Sequence, residues 1–130
     1  MPHITVDYSP NVEGYVDVAG LCNVLRLAAA QTGVLPLAGI RVRAFAATHV
    51  SIADGDTQHG YVDIAVRLRG GRDLETRKRA TAEIFEAARL YLEPAMQTHS
   101  LALSFEMRDI DPDLSPKCGT IRDHMKKAEQ

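Results

Sequence analysis

Four residues of this chain have types that could act together on a small anion: Pro2, His3, Arg41 and Arg72. Pro2 directly follows the initiator, so removal of Met1 leaves a secondary amine that is also a proline ring. A model α-amino group titrates at about 7.7–8.0, and desolvation lowers that toward neutrality. An amine poised there can serve as a general base. Arginines suit carboxylates because the guanidinium offers two parallel donors in a planar fork. One amine base with two arginines therefore fits a small dicarboxylate or tricarboxylate, clamped at its ends while a proton moves in the middle. His3 adjoins the amine and could orient such a substrate. By residue type alone Pro2 could equally begin an ordinary strand, and each arginine could be a solvated surface charge. Arg43, Arg67, Arg69, Arg77 and Arg79 are read in that second way.

Other chemistries find less support. His3, His49, His59, His99 and His124 show no HExxH spacing, so no metal is expected. Cys22 and Cys118 stand far apart without a CxxC motif, which indicates neither a disulfide framework nor a zinc site. Cys22 falls on an apolar helical stripe and reads as packing. There is no GxSxG elbow, Walker loop or GxGxxG, so no nucleotide cofactor is expected. At 130 residues the chain has the length of one domain, and 45% hydrophobic with 25% charged residues is ordinary for a globular protein. A formal net charge of −2 gives no case for nucleic acid. No segment reads as a signal peptide or a membrane span, so a reduced, cytoplasmic setting is the default.

The elements that must position these residues read as strand, helix, strand, and then the same order again. His3 to Tyr8 alternates, with Ile4, Val6 and Tyr8 on one side and His3, Thr5 and Asp7 on the other. Asn11 to Tyr15 is a turn-rich connection. Val18, Leu21, Cys22, Leu25, Ala28 and Ala29 recur at helical spacing between about Asp17 and Thr32, and Gly33 supplies the stop. A strand follows through Gly39–Phe45, on which Arg41 and Arg43 share a face, and Ser51–Asp56 is a loop. The second unit opens with a strand over Tyr61–Leu68, broken by Gly70-Gly71-Arg72. Asp73 caps a helix starting at Leu74, which Pro94 should kink or end near Glu93. His99 to Met107 is the closing strand. Residues 2–48 and 59–109 are thus two β-α-β units of one domain, and 110–130 is a polar tail with a short helix expected from Ile121 to Lys127. The expected fold is α/β (α+β), a four-stranded mixed sheet with both helices on one face. Apolar residues are expected on both faces of the strands, so self-association should cover the open one.

Three runs carry a family resemblance: Met1-Pro2-His3-Ile4, Pro36-Leu37-Ala38-Gly39-Ile40-Arg41, and Gly71-Arg72-Asp73-Leu74-Glu75. With Ala53-Asp54-Gly55, Gln58-His59 and Leu101-Ala102-Leu103-Ser104-Phe105-Glu106, the chain resembles the 5-carboxymethyl-2-hydroxymuconate isomerase family of the tautomerase superfamily. The second unit is also similar to the single β-α-β subunit of 4-oxalocrotonate tautomerase. The resemblance implies the tandem β-α-β tautomerase fold, a homotrimer, and keto–enol isomerisation without a cofactor. It implies that Pro2 transfers the proton while Arg41 and Arg72 bind carboxylate or carbonyl oxygens. The substrate class implied is a dienol tricarboxylate from bacterial aromatic-acid catabolism of the homoprotocatechuate type. Asp73 stands where the family suggests serine or threonine, and Ala44–Thr48 is rich in small residues where bulkier aromatics occur. Two other readings stand beside this one. One is a tautomerase-fold decarboxylase or hydratase with a cationic Pro2, and the other a non-catalytic trimer that binds a small anion or a protein.

Overall fold

The middle of the sheet is its first strand. In a computed structural model of the protein, which describes residues 2–125, β1 (His3–Tyr8) lies between β2 (Arg41–Ala46) and β3 (Gly60–Arg69). β4 (Leu101–Ile110) completes the order β2-β1-β3-β4. β1 and β2 are parallel, as are β3 and β4, and each pair is bridged by a crossover helix: α1 (Val18–Gln31) and α2 (Leu74–Thr98). β1 and β3 run antiparallel, so the sheet is mixed. A four-residue helix, α3 (Ile121–His124), follows the last strand. The processing of Met1 and the expected helical positions Lys126 and Lys127 lie outside the described residues; the helix itself ends before Met125, which is extended.

Both long helices cover one face, because the apolar side chains of every strand point there. Ile4, Val6 and Tyr8 of β1 and Val62, Ile64, Val66 and Leu68 of β3 are buried against Leu21, Leu25, Ile84 and Leu92. The helices start where sequence places them. Asp17 and Asp73 each accept a hydrogen bond from the backbone N–H three residues on, satisfying a donor the first turn leaves open. Gly33 closes α1 with φ of +71°, a conformation that a Cβ disfavours.

Three further expectations are corrected. α2 does not end near Glu93 but continues through Pro94 to Thr98. Proline removes one amide donor, yet Leu90, whose carbonyl it leaves without that donor, is exposed to water. Beyond it the last turn is held by Ala95 in the core and by His99 N–H donating to the Ala95 carbonyl. The second correction concerns the open face. Ile64, Val66 and Leu68 share one parity with Leu101, Leu103 and Phe105, and that parity faces the helices. The opposite parity carries His3, Thr5 and Asp7 with Arg41, Arg43, Asp63, Ala65 and Arg67. Ala65, Ala102, Phe45 and Ile110 are its apolar members, so the open face is mainly polar. β4 also starts later and runs further than expected, from Leu101 to Ile110.

Because Ile64 is fully buried at the centre of the sheet, Ile64→Ala should lower unfolding free energy by about 2–5 kcal/mol. Urea titration of both proteins checks this; a loss under ~1 kcal/mol would contradict the packing described.

Candidate active site

Strand register, rather than sequence proximity, assembles the charged end of the open face. His3 is paired with Arg41 on one side and with Arg67 on the other, and Arg67 with Arg108. Cross-strand partners share a face, so Arg41, His3, Arg67 and Arg108 form one row. The next row brings Arg43 beside Thr5. One row further along the sign reverses, with Asp7 opposite Asp63. Tyr61 donates to Asp7 Oδ1 at 2.7 Å and Ser104 to Asp63 Oδ1 at 2.6 Å, so the acidic end is bound up in its own hydrogen bonds. That bond to Asp7 pushes the Tyr61 phenol up to about 12.

Pro2 lies at the cationic end. It is fully buried, and its carbonyl accepts the Arg41 backbone N–H at 3.3 Å, which extends the β1–β2 ladder by one residue. The start of β2 is thereby tied to the residue that precedes β1. Arg72 reaches the same end by another route. Gly71 takes φ of +119° ahead of it, a backbone shape suited to glycine. The Arg72 guanidinium then donates to the Arg69 carbonyl at 2.9 Å and to the Val34 carbonyl at 3.0 Å. It thus pins the end of β3 to the connection between α1 and β2. Arg72 has five donors, and two carbonyls leave part of the fork for a ligand.

His3 sits among these cations. Arg43 Nη1 lies 3.2 Å from His3 Nδ1. A guanidinium only donates, so Nδ1 accepts and the ring proton belongs on Nε2. Burial lowers the His3 pKa below its usual value, and Arg67, Arg43 and Arg41 lower it further. The imidazole is therefore a neutral Nε2–H donor at the centre of a cationic row.

Two clefts open beside this row, and the polar tail walls both. One, of about 300 Å³, is lined by His3, Arg67 and Arg69 together with Ile110, Ser115 and Lys117. The other, of about 260 Å³, is lined by Pro36, Gly39 and Arg41 together with Lys117, Cys118 and Arg122. Of the residues that sequence reasoning singled out, His3 and Arg41 line these clefts, whereas Pro2 and Arg72 lie at the same end of the sheet but line neither of the two. Sequence reasoning set Arg43 and Arg67 aside as surface charge and gave the tail no part. The alternation of the strands held a signal for both arginines, since each shares parity with His3 or Arg41 once the register is known.

The other histidines serve elsewhere. His59 bridges Asp54 Oδ1 at 2.8 Å and Ser100 Oγ at 2.6 Å, and His99 stacks on Tyr15. Among the described residues no three His, Cys, Asp or Glu side chains are grouped to hold a metal ion. Among them, too, no helix is long and apolar enough to cross a membrane.

Comparison with known proteins gives a consistent picture. A sequence model of the 5-carboxymethyl-2-hydroxymuconate isomerase family matches residues 2–125. A relative from Escherichia coli, 5-carboxymethyl-2-hydroxymuconate Delta-isomerase, is 35% identical over 121 residues, spanning 93% of this chain and 96% of that protein. A crystal structure of a 5-carboxymethyl-2-hydroxymuconate delta-isomerase superposes with a TM-score of 0.89 at 28% identity, over 100% of this chain and 96% of that one. A second such isomerase, from Deinococcus radiodurans R1, shares the fold with a TM-score of 0.87 at 23% identity, over 97% and 95% of the two chains. With the family model matched over residues 2–125 and a 35% identical relative covered over 96% of its length, the chain belongs to the 5-carboxymethyl-2-hydroxymuconate isomerase family, within the tautomerase superfamily.

Proposed function

We propose that this protein isomerises 5-carboxymethyl-2-hydroxymuconate, a step of homoprotocatechuate-type aromatic-acid catabolism, without a cofactor and with Pro2 as the proton-transfer base. The observation that supports this reading is a buried Pro2 at the end of the sheet where His3 pairs with Arg41 and Arg67, with Arg72 following the end of β3. With Met1 removed, the Pro2 nitrogen is an amine. Burial and neighbouring cations both disfavour its charged form, so both favour the neutral base at pH 7. With Met1 attached the same nitrogen is an amide and has no useful basicity.

The reaction balances as a proton relay. Neutral Pro2 takes the proton of the 2-hydroxyl, and charge develops on the dienolate oxygen. The C2–O bond becomes a carbonyl, the double bonds shift along the chain, and Pro2 returns a proton at C5. Arg41 and Arg72 act on the oxygens where negative charge gathers, and fixed cations there stabilise the transition state most. Neutral His3 offers Nε2–H for orientation without competing as an acid. The active unit in this reading is a homotrimer whose copies cover one another's polar sheet face. A decarboxylase or hydratase would need Pro2 protonated, which burial and the surrounding cations oppose.

The decisive test pairs the intact mass with a ketonisation assay. The mature protein should lack Met1, and Pro2→Ala should lower kcat by about 10²–10⁴; turnover near wild type would remove Pro2 from the chemistry. The kcat/KM of the wild type should rise with pH through the Pro2 pKa, because a base works only when neutral. A profile that falls over the same range supports the cationic alternative.

The two arginines should differ. Arg41→Ala should reduce kcat/KM by about 10²–10³. Arg72→Lys should reduce activity and also lower the melting temperature, because lysine cannot span the Arg69 and Val34 carbonyls as a fork does. Wild-type kinetics in both would refute the carboxylate clamp.

NMR titration of His3 should give a midpoint below the usual value of about 6.5, and Arg43→Ala should move it upward. The folded pKa lies below the unfolded one, so His3 makes the protein lose stability as pH falls from about 6.5 through the folded value. A midpoint above 6.5 would contradict the cationic surroundings.

A further inference from the structure

We infer that the segment after β4 is a working wall of the site, and that Lys117 on it binds the third carboxylate of a tricarboxylate substrate. The inference rests on the reading of the site as a polycarboxylate isomerase and deepens it into substrate choice. Two carboxylates can be matched by Arg41 and Arg72. A third needs another of the cations that line the clefts, and among Arg67, Arg69, Arg122 and Lys117 it is Lys117 that lines both.

Lys117 has that place. It lines the cleft of His3, Arg67 and Arg69 and also the cleft of Arg41, so it stands between the two. It also has no acid of its own. Among the described residues, the ion pairs engage Arg77, Lys78, Arg79, Arg89, Arg108 and His59, and none reaches Lys117. Two nearby acids have partners of their own. Asp111 accepts the backbone N–H of Asp113 at 2.9 Å, and Asp109 lies 3.7 Å from Arg77.

The segment that presents Lys117 is held in shape. Gly70 N–H donates to the Ile110 carbonyl at 3.0 Å, which fastens its start to the end of β3. Ser115 Oγ donates to the Asp111 carbonyl at 2.7 Å, closing a turn that Pro112 and Pro116 also restrict. A lysine on a fixed turn loses less freedom when it binds than one on a loose tail.

The test compares Lys117→Ala and Lys117→Arg with wild type on 5-carboxymethyl-2-hydroxymuconate and on 2-hydroxymuconate, which lacks the carboxymethyl arm. The inference expects Lys117→Ala to raise KM for the tricarboxylate by about tenfold or more, the scale of one lost charged hydrogen bond. The ratio of kcat/KM for the two substrates should fall by about the same factor, with kcat for the tricarboxylate within about threefold of wild type. Lys117→Arg should recover most of the loss. Equal KM changes on both substrates, or none on either, overturn it. Calorimetry with tricarballylate and glutarate supplies a second arm that needs no turnover. Wild type should prefer the tricarboxylate and Lys117→Ala should lose that preference; an unchanged preference overturns the inference. Failure of wild type to turn over either muconate overturns the isomerase reading instead, and does so before any variant is compared.

Discussion

Everything at the candidate site depends on the register of β1. This strand pairs with β2 in parallel and with β3 in antiparallel, and both pairings place His3 opposite an arginine. A slip of one residue in either ladder would send Arg41 or Arg67 to the helix side and bring an apolar neighbour to the open face. The register is enforced from the other side of the sheet. Ile4, Val6, Val62, Ile64 and Val66 are all buried against the helices, and a one-residue slip would expose them. At about 25 cal/mol per Å² of apolar surface, losing such a set outweighs any repulsion among the arginines. The core therefore holds like charges together on the face it does not use.

The concentration of charge has an electrostatic counterpart. Arg41, Arg67 and Arg43 surround a histidine, whereas the far end of the same strands carries Asp7 and Asp63. The two ends lie several strand residues apart, at about 3.3 Å per residue, so screening at physiological salt leaves each end largely to itself. The acids are occupied by Tyr61 and Ser104, and Arg41 and Arg67 line clefts. An anionic ligand is thus drawn to the end where Pro2 lies.

Much of this was legible in the residues. Strand alternation identified Ile4, Val6 and Tyr8 as a face, the spacing from Val18 to Ala29 identified α1, and Gly33 marked its end. Pro2, His3, Arg41 and Arg72 were legible as candidates because their chemistry is unusual in combination. Three things were not legible. A mixed sheet was expected, but which strands of the two units pair and in what register is a tertiary matter, so the row joining His3 to Arg67 could not be read in advance. Pro94 reads as a helix stop, but packing of Ala95 and a capped last turn outweigh one missing donor. The path of the tail follows from a few turn bonds, which leave little periodic signature.

The division between core and clefts separates two properties of the molecule. No residue from 111 to 125 is buried, yet this stretch supplies a wall to both clefts. Its shape comes from local turn bonds, and the apolar contacts that keep the sheet folded end before it begins. Substitutions there change the outline and charge of the clefts while leaving the energetic foundation of the fold nearly untouched. In evolutionary terms, the chain can explore new ligands along its last segment at almost no risk to its foldedness. The strands that hold Pro2 and the arginines have no such latitude.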